Sequence, residues 1–211
     1  MNVVSLTETN QSEIISEATY ILKRGGSIIY PTDTVYGLGV NPFDEFAVRR
    51  LFRIKKRSAD KPVPLIVKSV AMAKKLAYID YRKEEILRSV WPGAVSVVLY
   101  KRRIITSPVS AGTRTVALRI PDDEFCIKLI KVFNSPITST SANLSGENPM
   151  TDPIKIQRKF AKEAYKPDLL IDAGVLKSRQ PSTVLDLTSE EPKITRIGPV
   201  KAKDLARILR V

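Results

Sequence analysis

Strand-like and helix-like stretches alternate irregularly along this chain, and that alternation restricts the fold more than any other feature of the sequence. Ile14, Ile15, Ala18, Ile21 and Leu22 recur at helical spacing, so their apolar side chains share one face. Asn10 and Glu13 are placed to cap this helix, and Gly25-Gly26 to stop it. Residues 27–30 then read as a short buried strand broken by Pro31. Further helices are expected around Ala47, Val48, Leu51 and Phe52, around Met72, Ala73 and Leu76, and around Cys126, Leu129, Ile130 and Phe133. Two more are expected around Ile156, Phe160, Ala161 and Ala164, and around Leu205, Ile208 and Leu209. Strands are expected at 64–67, 95–100, 115–120, 136–140, 169–171, 183–187 and 193–197. Such an order favours a mixed-sheet α/β fold over a strict βαβ array. With no internal repeat and no long linker, residues 1–211 are expected to form one domain, its core spanning 10–200.

The chain has 211 residues, 43% of them hydrophobic, enough for a sizeable core. Lys and Arg total 35 against 22 Asp and Glu, a net charge of +13. That field attracts nucleic acid, nucleotides or an anionic membrane surface; many solvated lysines would give the same sum. The single cysteine, Cys126, allows no intrachain disulfide, and its place on an apolar helix face makes it a core residue. There is no histidine. This excludes Ser-His-Asp and Cys-His nucleophiles and any histidine metal site. A catalyst built this way works through positioning and fixed charge. No apolar run approaches the roughly 20 residues of a membrane span, and residues 1–10 lack a signal-peptide pattern. No membrane association and a cytoplasmic location are expected.

Several clusters carry possible chemistry. In Pro31-Thr32-Asp33-Thr34-Val35-Tyr36-Gly37-Leu38-Gly39, hydroxyls and two glycines directly follow a buried strand. Glycines allow close approach of backbone to a ligand; an ordinary turn has the same composition. In Lys55-Lys56-Arg57-Ser58-Ala59-Asp60-Lys61-Pro62, four cations fall within seven residues at a helix end. The arrangement suits a phosphate clamp or a solvated terminus complementing the helix dipole. Thr115, Ala117 and Arg119 share one face of a strand. Arg119 sits among apolar neighbours, so it needs an anion from the protein or from a ligand. Ser139-Thr140-Ser141-Ala142-Asn143-Leu144-Ser145-Gly146 is polar yet uncharged, as a substrate pocket would be. Asp186 suits a structural hydrogen bond better than a metal. No Gly-x-x-x-x-Gly-Lys-Ser/Thr, Gly-x-Gly-x-x-Gly or Cys-x-x-Cys motif is present.

Seven segments in this order (31–39, 55–62, 91–93, 115–121, 139–146, 182–186 and 196–198) resemble the YrdC-like family of threonylcarbamoyl-AMP synthases over most of the chain. The resemblance implies a twisted mixed, largely parallel sheet with flanking helices around a large basic cavity. It implies conversion of L-threonine, bicarbonate and ATP, with Mg²⁺ on the ATP, to threonylcarbamoyl-AMP and pyrophosphate. The product would pass to a downstream tRNA threonylcarbamoyl-transferase complex. By position, Thr34, Arg119, Ser141 and Ser182 match residues the family places around threonine. Lys55, Arg57, Lys61, Thr115, Asn143, Thr151 and Arg196 match those around ATP. No side-chain nucleophile and no protein-held metal are implied. Asp33 stands where many members have Glu, Ser58 where many have Pro, and a His after Lys61 is missing. The extra C-terminal domain of some members is expected to be absent.

Three rival readings remain open, one of them a nucleotide-binding regulator that has lost catalysis, whose pocket would bind without reacting. A plain RNA-binding module fits the charge, but only 7% of residues are aromatic, with no stacking stripe inside the basic segments. A carbamoyl-transfer domain like that of hydrogenase maturation belongs to much larger chains. Weak nonspecific binding of RNA or tRNA is expected under each of these readings. Trp91, next to Pro92-Gly93, reads as structural.

Overall fold

The structure, a computed structural model, describes residues 1–177 and 180–209. The chain begins with β1 (Asn2–Ser5), α1 (Gln11–Lys23), β2 (Ile28–Tyr30), β3 (Gly37–Gly39) and α2 (Glu45–Lys55). Next come β4 (Leu65–Ile66), α3 (Val70–Leu76), α4 (Tyr81–Val90), β5 (Val95–Tyr100), α5 (Ser107–Ser110) and β6 (Thr115–Arg119). It ends with α6 (Glu124–Phe133), β7 (Ile137–Thr138), β8 (Thr140–Ser141), α7 (Pro153–Ala161), β9 (Leu169–Asp172), β10 (Thr183–Asp186), β11 (Lys193–Arg196) and α8 (Ala202–Leu209).

The strands form two mixed sheets, in the orders β1-β9-β2-β3-β8 and β11-β10-β5-β6-β4-β7. The β1–β9, β2–β9, β5–β10 and β4–β6 pairs are parallel. The β2–β3, β3–β8, β5–β6, β4–β7 and β10–β11 pairs are antiparallel. The mixed α/β class is as expected, with a larger antiparallel share than the resemblance implied.

Alternation along the strands divides the interior into two cores. Ile28 and Tyr30 of β2, with Leu169 and Ile171 of β9, pack against α1 and α6. Ile29 and Leu170, one residue out of step, face the other core with Val97, Leu99, Val116 and Leu118 of the second sheet. In the second sheet this leaves Ser96, Val98, Thr115, Ala117 and Val184 on the opposite face, where they line a hollow. Cys126 is fully buried, as expected, and burial pushes its thiol well above the usual range.

Three local expectations are corrected. Asn10 makes no side-chain cap on α1. Its Oδ1 accepts from Thr7 N at 2.9 Å and its Nδ2 donates to Ser5 O at 2.9 Å, tying the entry loop instead. Gly37 and Gly39 form a strand rather than a ligand loop. A Cβ on Gly37 would lie 2.9 Å from Tyr30 Cζ, and one on Gly39 2.7 Å from Tyr30 Cε1, so these glycines make room for a buried ring. Residues 136–140 are not one strand but two, because β7 and β8 join different sheets. No described helix is long and apolar enough to cross a membrane.

Candidate active site

β6 carries Arg119 to the end of the second sheet, where its side chain is only 5% exposed. A buried guanidinium requires a partner of opposite charge, and the chain supplies one. Nη2 donates to Asp33 Oδ1 at 2.5 Å, Nη1 to Thr34 Oγ1 at 2.9 Å, and Nε to Gly93 O at 2.8 Å. Thr34 is itself fixed, since its Oγ1 and its N both meet Thr32 Oγ1, at 3.0 Å each. Of the five guanidinium N–H groups, these contacts use three, so that one on each terminal nitrogen has no acceptor among the described residues; N–H groups of arginine are the usual partners of a carboxylate.

Along the same face of β6, Thr115 and Ala117 line a cavity of about 210 Å³ with Arg57, Ser96, Val98 and Arg196. Arg196 leaves β11 and folds back on Ser182. Its Nε and Nη2 donate to Ser182 O at 3.0 and 2.7 Å, and Nη2 also reaches Ser182 Oγ at 3.3 Å. Ser182 Oγ shares a 2.7 Å hydrogen bond with Ser96 Oγ at the buried wall. Gly198 makes this close return possible: a Cβ there would sit 2.3 Å from Pro181 O. Arg57 is held by backbone carbonyls, its Nη2 on Pro62 O at 2.9 Å and its Nε on Lys61 O at 3.3 Å. Desolvation lowers the pKa of Arg57, opposed by Asp60, and that of Arg196, assisted by the charge of Arg119. Both remain cations, because a guanidinium stays protonated in proteins. Their charge is concentrated in a partly dehydrated space that favours an anion.

The third part is the polar loop after β8. Lys55, 2% exposed, reaches into it from the end of α2. Its ammonium donates to Ser141 O, to Asn143 O at 2.8 Å and to Asn143 Oδ1 at 3.1 Å. A lysine has three donors, and all three go to this loop. Burial, and then the charge of Arg57, press its pKa down to about 7. Ser141 Oγ donates to Asn143 Oδ1 at 2.5 Å, and Asn143 Nδ2 donates to Glu147 O at 2.6 Å.

The predicted residues thus divide. Thr34 and Arg119 meet directly; Ser182 and Arg196 meet directly; Arg57 and Thr115 line the cavity with Arg196. Lys55, Ser141 and Asn143 bond one another, so this lysine shapes the loop and has no donor left for a phosphate. Of the other cations in this run, Lys56 ion-pairs with Glu163 at 2.6 Å and Lys61 is exposed. Thr151 lies in the connection before α7, where its carbonyl accepts from Leu176 N at 3.0 Å. Asp186 bonds the backbone and hydroxyl of Thr188, a structural role. Ser96 belongs to the site without having been singled out, and Asp33 and Gly93, given no role in the sequence, both bond Arg119. The strand period would have found Ser96, which alternates with core Val95 and Val97. Trp91 is buried, with Nε1 on Val95 O at 2.7 Å.

This arrangement has close counterparts. Residues 20–198 match the family named for Sua5, YciO and YrdC and described as "Telomere recombination", and the chain belongs to that family. The threonylcarbamoyl-AMP synthase of Pyrococcus abyssi is 32% identical over 208 residues, covering 98% of this chain and 60% of that protein. The solved structure of Pyrococcus abyssi Sua5 complexed with L-threonine shares the fold at a TM-score of 0.92 and 32% identity, covering 99% of this chain and 61% of that one. Escherichia coli YciO matches at a TM-score of 0.86 and 26% identity, covering 97% of this chain and 98% of that one. The chain spans about three fifths of the Pyrococcus proteins and nearly all of YciO.

Proposed function

We propose that this chain activates L-threonine, joining it with bicarbonate and ATP to give L-threonylcarbamoyl-AMP and pyrophosphate. The observation that carries the reading is the Arg119 cradle, with two N–H groups to spare, set beside a cavity walled by Arg57 and Arg196. A threonine carboxylate suits the cradle, with the Thr34 hydroxyl beside it. Phosphates suit Arg57, Arg196 and Thr115, and Ser182 lies between the two ligands. Relatives named threonylcarbamoyl-AMP synthase, and a family structure holding L-threonine, support this reading.

The chemistry asks for little beyond placement. The threonine amine captures bicarbonate with loss of water, and the resulting carbamate attacks the α-phosphate as pyrophosphate leaves. Both reactants are anions, so holding them in line and offsetting their charge lowers the barrier most. Among the described residues no cluster of acidic or cysteine side chains could hold a metal. In this reading Mg²⁺ travels on the triphosphate, as is common for this ion. The activated threonine is then passed, in this reading, to a tRNA-modifying complex in the cytoplasm. The test is pyrophosphate release by the purified chain with ATP, bicarbonate and each amino acid in turn. AMP and pyrophosphate should form only with both threonine and bicarbonate. Equal turnover without threonine, or ADP as the product, would overturn the reading.

A further inference from the structure

A second hollow, of about 320 Å³, opens between α3 and the turn that follows α6. That volume falls within the range of small-molecule sites. Its lining is mostly apolar, contributed by Phe43, Met72, Leu76, Ile104 and Pro136. Leu76 is buried and Met72 half-buried, but Phe43 and Ile104 are 38% and 53% exposed. Large apolar side chains left in water around a concavity mark a surface that a ligand can cover. The same lining holds two cations, Lys68 and Lys75, and no carboxylate. Neither lysine forms an ion pair among the described residues, whereas Lys74, beside Lys75 in sequence, meets Glu84. Lys68 is also held in place. Val67, just before it, donates its N–H to Arg119 O at 2.9 Å. Lys68 Nζ donates to Asn134 Oδ1 at 3.0 Å, and Asn134 itself ends α6 in a left-handed conformation with φ 54°. Of the three donors on the Lys68 ammonium, two remain for a ligand.

We propose that this hollow binds a small apolar acid, a compact anionic headgroup carried on a hydrocarbon body. Lys68 and Lys75 take the headgroup. Ammonium groups act as point charges, so they read its sign rather than its shape. The body lies along Phe43, Met72, Leu76 and Ile104, and both surfaces leave water. Methionine fills irregular gaps, which suits bodies of varied outline. A bare inorganic anion would leave the apolar wall in water, and a neutral hydrocarbon would leave the two lysines unanswered. Each half of the lining thus calls for one half of the ligand. No residue of the Arg119 cradle or of the Arg57–Arg196 cavity lines the hollow, and the proposal does not depend on the activity proposed above.

The experiment uses the full chain labelled with ¹³C at its methionine methyl groups. The chain has three methionines, Met1, Met72 and Met150, and of these Met72 lines the hollow. Its signal is assigned by its loss in Met72→Leu. Sodium octanoate, kept below its micelle concentration, should shift the Met72 signal saturably and leave those of Met1 and Met150 in place. Hexanoate should bind about tenfold more weakly, since two buried methylenes are lost, and octylammonium should not bind. Lys68→Glu/Lys75→Glu, checked for an unchanged melting temperature, should bind octanoate at least about tenfold more weakly, the effect of losing hydrogen bonds to a charged group. The absence of a saturable shift at Met72 overturns the proposal. So does a common shift of all three methyl groups, which marks a general detergent effect. Equal binding of octylammonium or of hexanoate, measured on the wild type alone, would overturn the headgroup or the body of the proposed ligand. A folded double variant that binds octanoate like the wild type would overturn the role of the two lysines.

Discussion

Arg119 and Arg196 lie within each other's field, yet the fold holds them in opposite ways. Arg119 stands on a central strand, is buried, and is gripped by Asp33, Thr34 and Gly93. Arg196 ends an edge strand and rests on Ser182, with no carboxylate beside it among the described residues. The first arrangement sets a guanidinium in place before any ligand arrives, so little reorganisation is left for binding. The second leaves a positive charge that only an incoming anion can satisfy. One site thus contains a rigid reader and a charge awaiting its partner; in the proposed reading a small amino acid meets the first and a polyphosphate the second.

Breaking the rigid side should have the largest effect. Asp33→Ala leaves the Arg119 charge buried without its carboxylate, and stability should fall by about 3–5 kcal/mol. Urea unfolding measures this, and a loss below about 1 kcal/mol would show that Asp33 is not what holds the arginine. Arg119→Ala removes both the charge and the cradle. Calorimetry should show threonine binding weaker by about 2–4 kcal/mol with ATP affinity much less affected; the reverse pattern would exchange the roles of the two arginines.

On the open side the effect should fall on ligand rather than fold. Arg196→Ala should weaken ATP binding by about 1.5–3 kcal/mol, the range for a hydrogen bond to a charged group, while the unfolding midpoint barely moves. A large loss of stability would mean that Arg196 is a structural clasp on Ser182. A pH-dependent effect concerns Lys55, whose pKa is pressed down to about 7 in the folded chain and returns to near the ordinary 10.4 once unfolded. Between those values the unfolded state binds the extra proton, so this group makes stability rise with pH, by up to about 1.4 kcal/mol per unit. Lys55→Met should remove that slope between pH 7 and 10. Parallel pH profiles for the two proteins would show that the ammonium stays charged on its three acceptors.

Where a side chain's role follows from strand alternation, the sequence sufficed. Thr115, Ala117 and Arg119 do share a face, and the demand that Arg119 find an anion was correct in kind. The anion proved to be Asp33, 86 residues away in sequence, and a pairing that distant leaves no local trace. The same limit hid β1, whose partner β9 lies near the other end of the chain. It also hid the partners of Lys55: a run of cations suggests a clamp, but only folding brings Ser141 and Asn143 to the ammonium. Helix α4 was missed for a different reason. Its apolar positions are few, although Asp80, which caps it by accepting from Lys83 N at 2.8 Å, was a legible start signal. The exposure of Tyr78 and Tyr100 was illegible because exposure is a property of packing, and Tyr100 ends an otherwise buried strand.

Ser182 has neighbours on both sides at once, Arg196 through its carbonyl and Ser96 through its hydroxyl. With the nucleotide on Arg196 and the amino acid beside the Ser182 hydroxyl, the two ligands share a hinge point one residue wide. A triphosphate that pulls on Arg196 tugs the backbone to which that hydroxyl is attached, and an amino acid seated on the hydroxyl steadies the carbonyl that Arg196 grips. Thermodynamic reciprocity then makes the influence mutual: whatever factor threonine contributes to nucleotide affinity, the nucleotide returns to threonine in equal measure. Order of addition would be a matter of rates, while the ternary complex would be favoured as a unit.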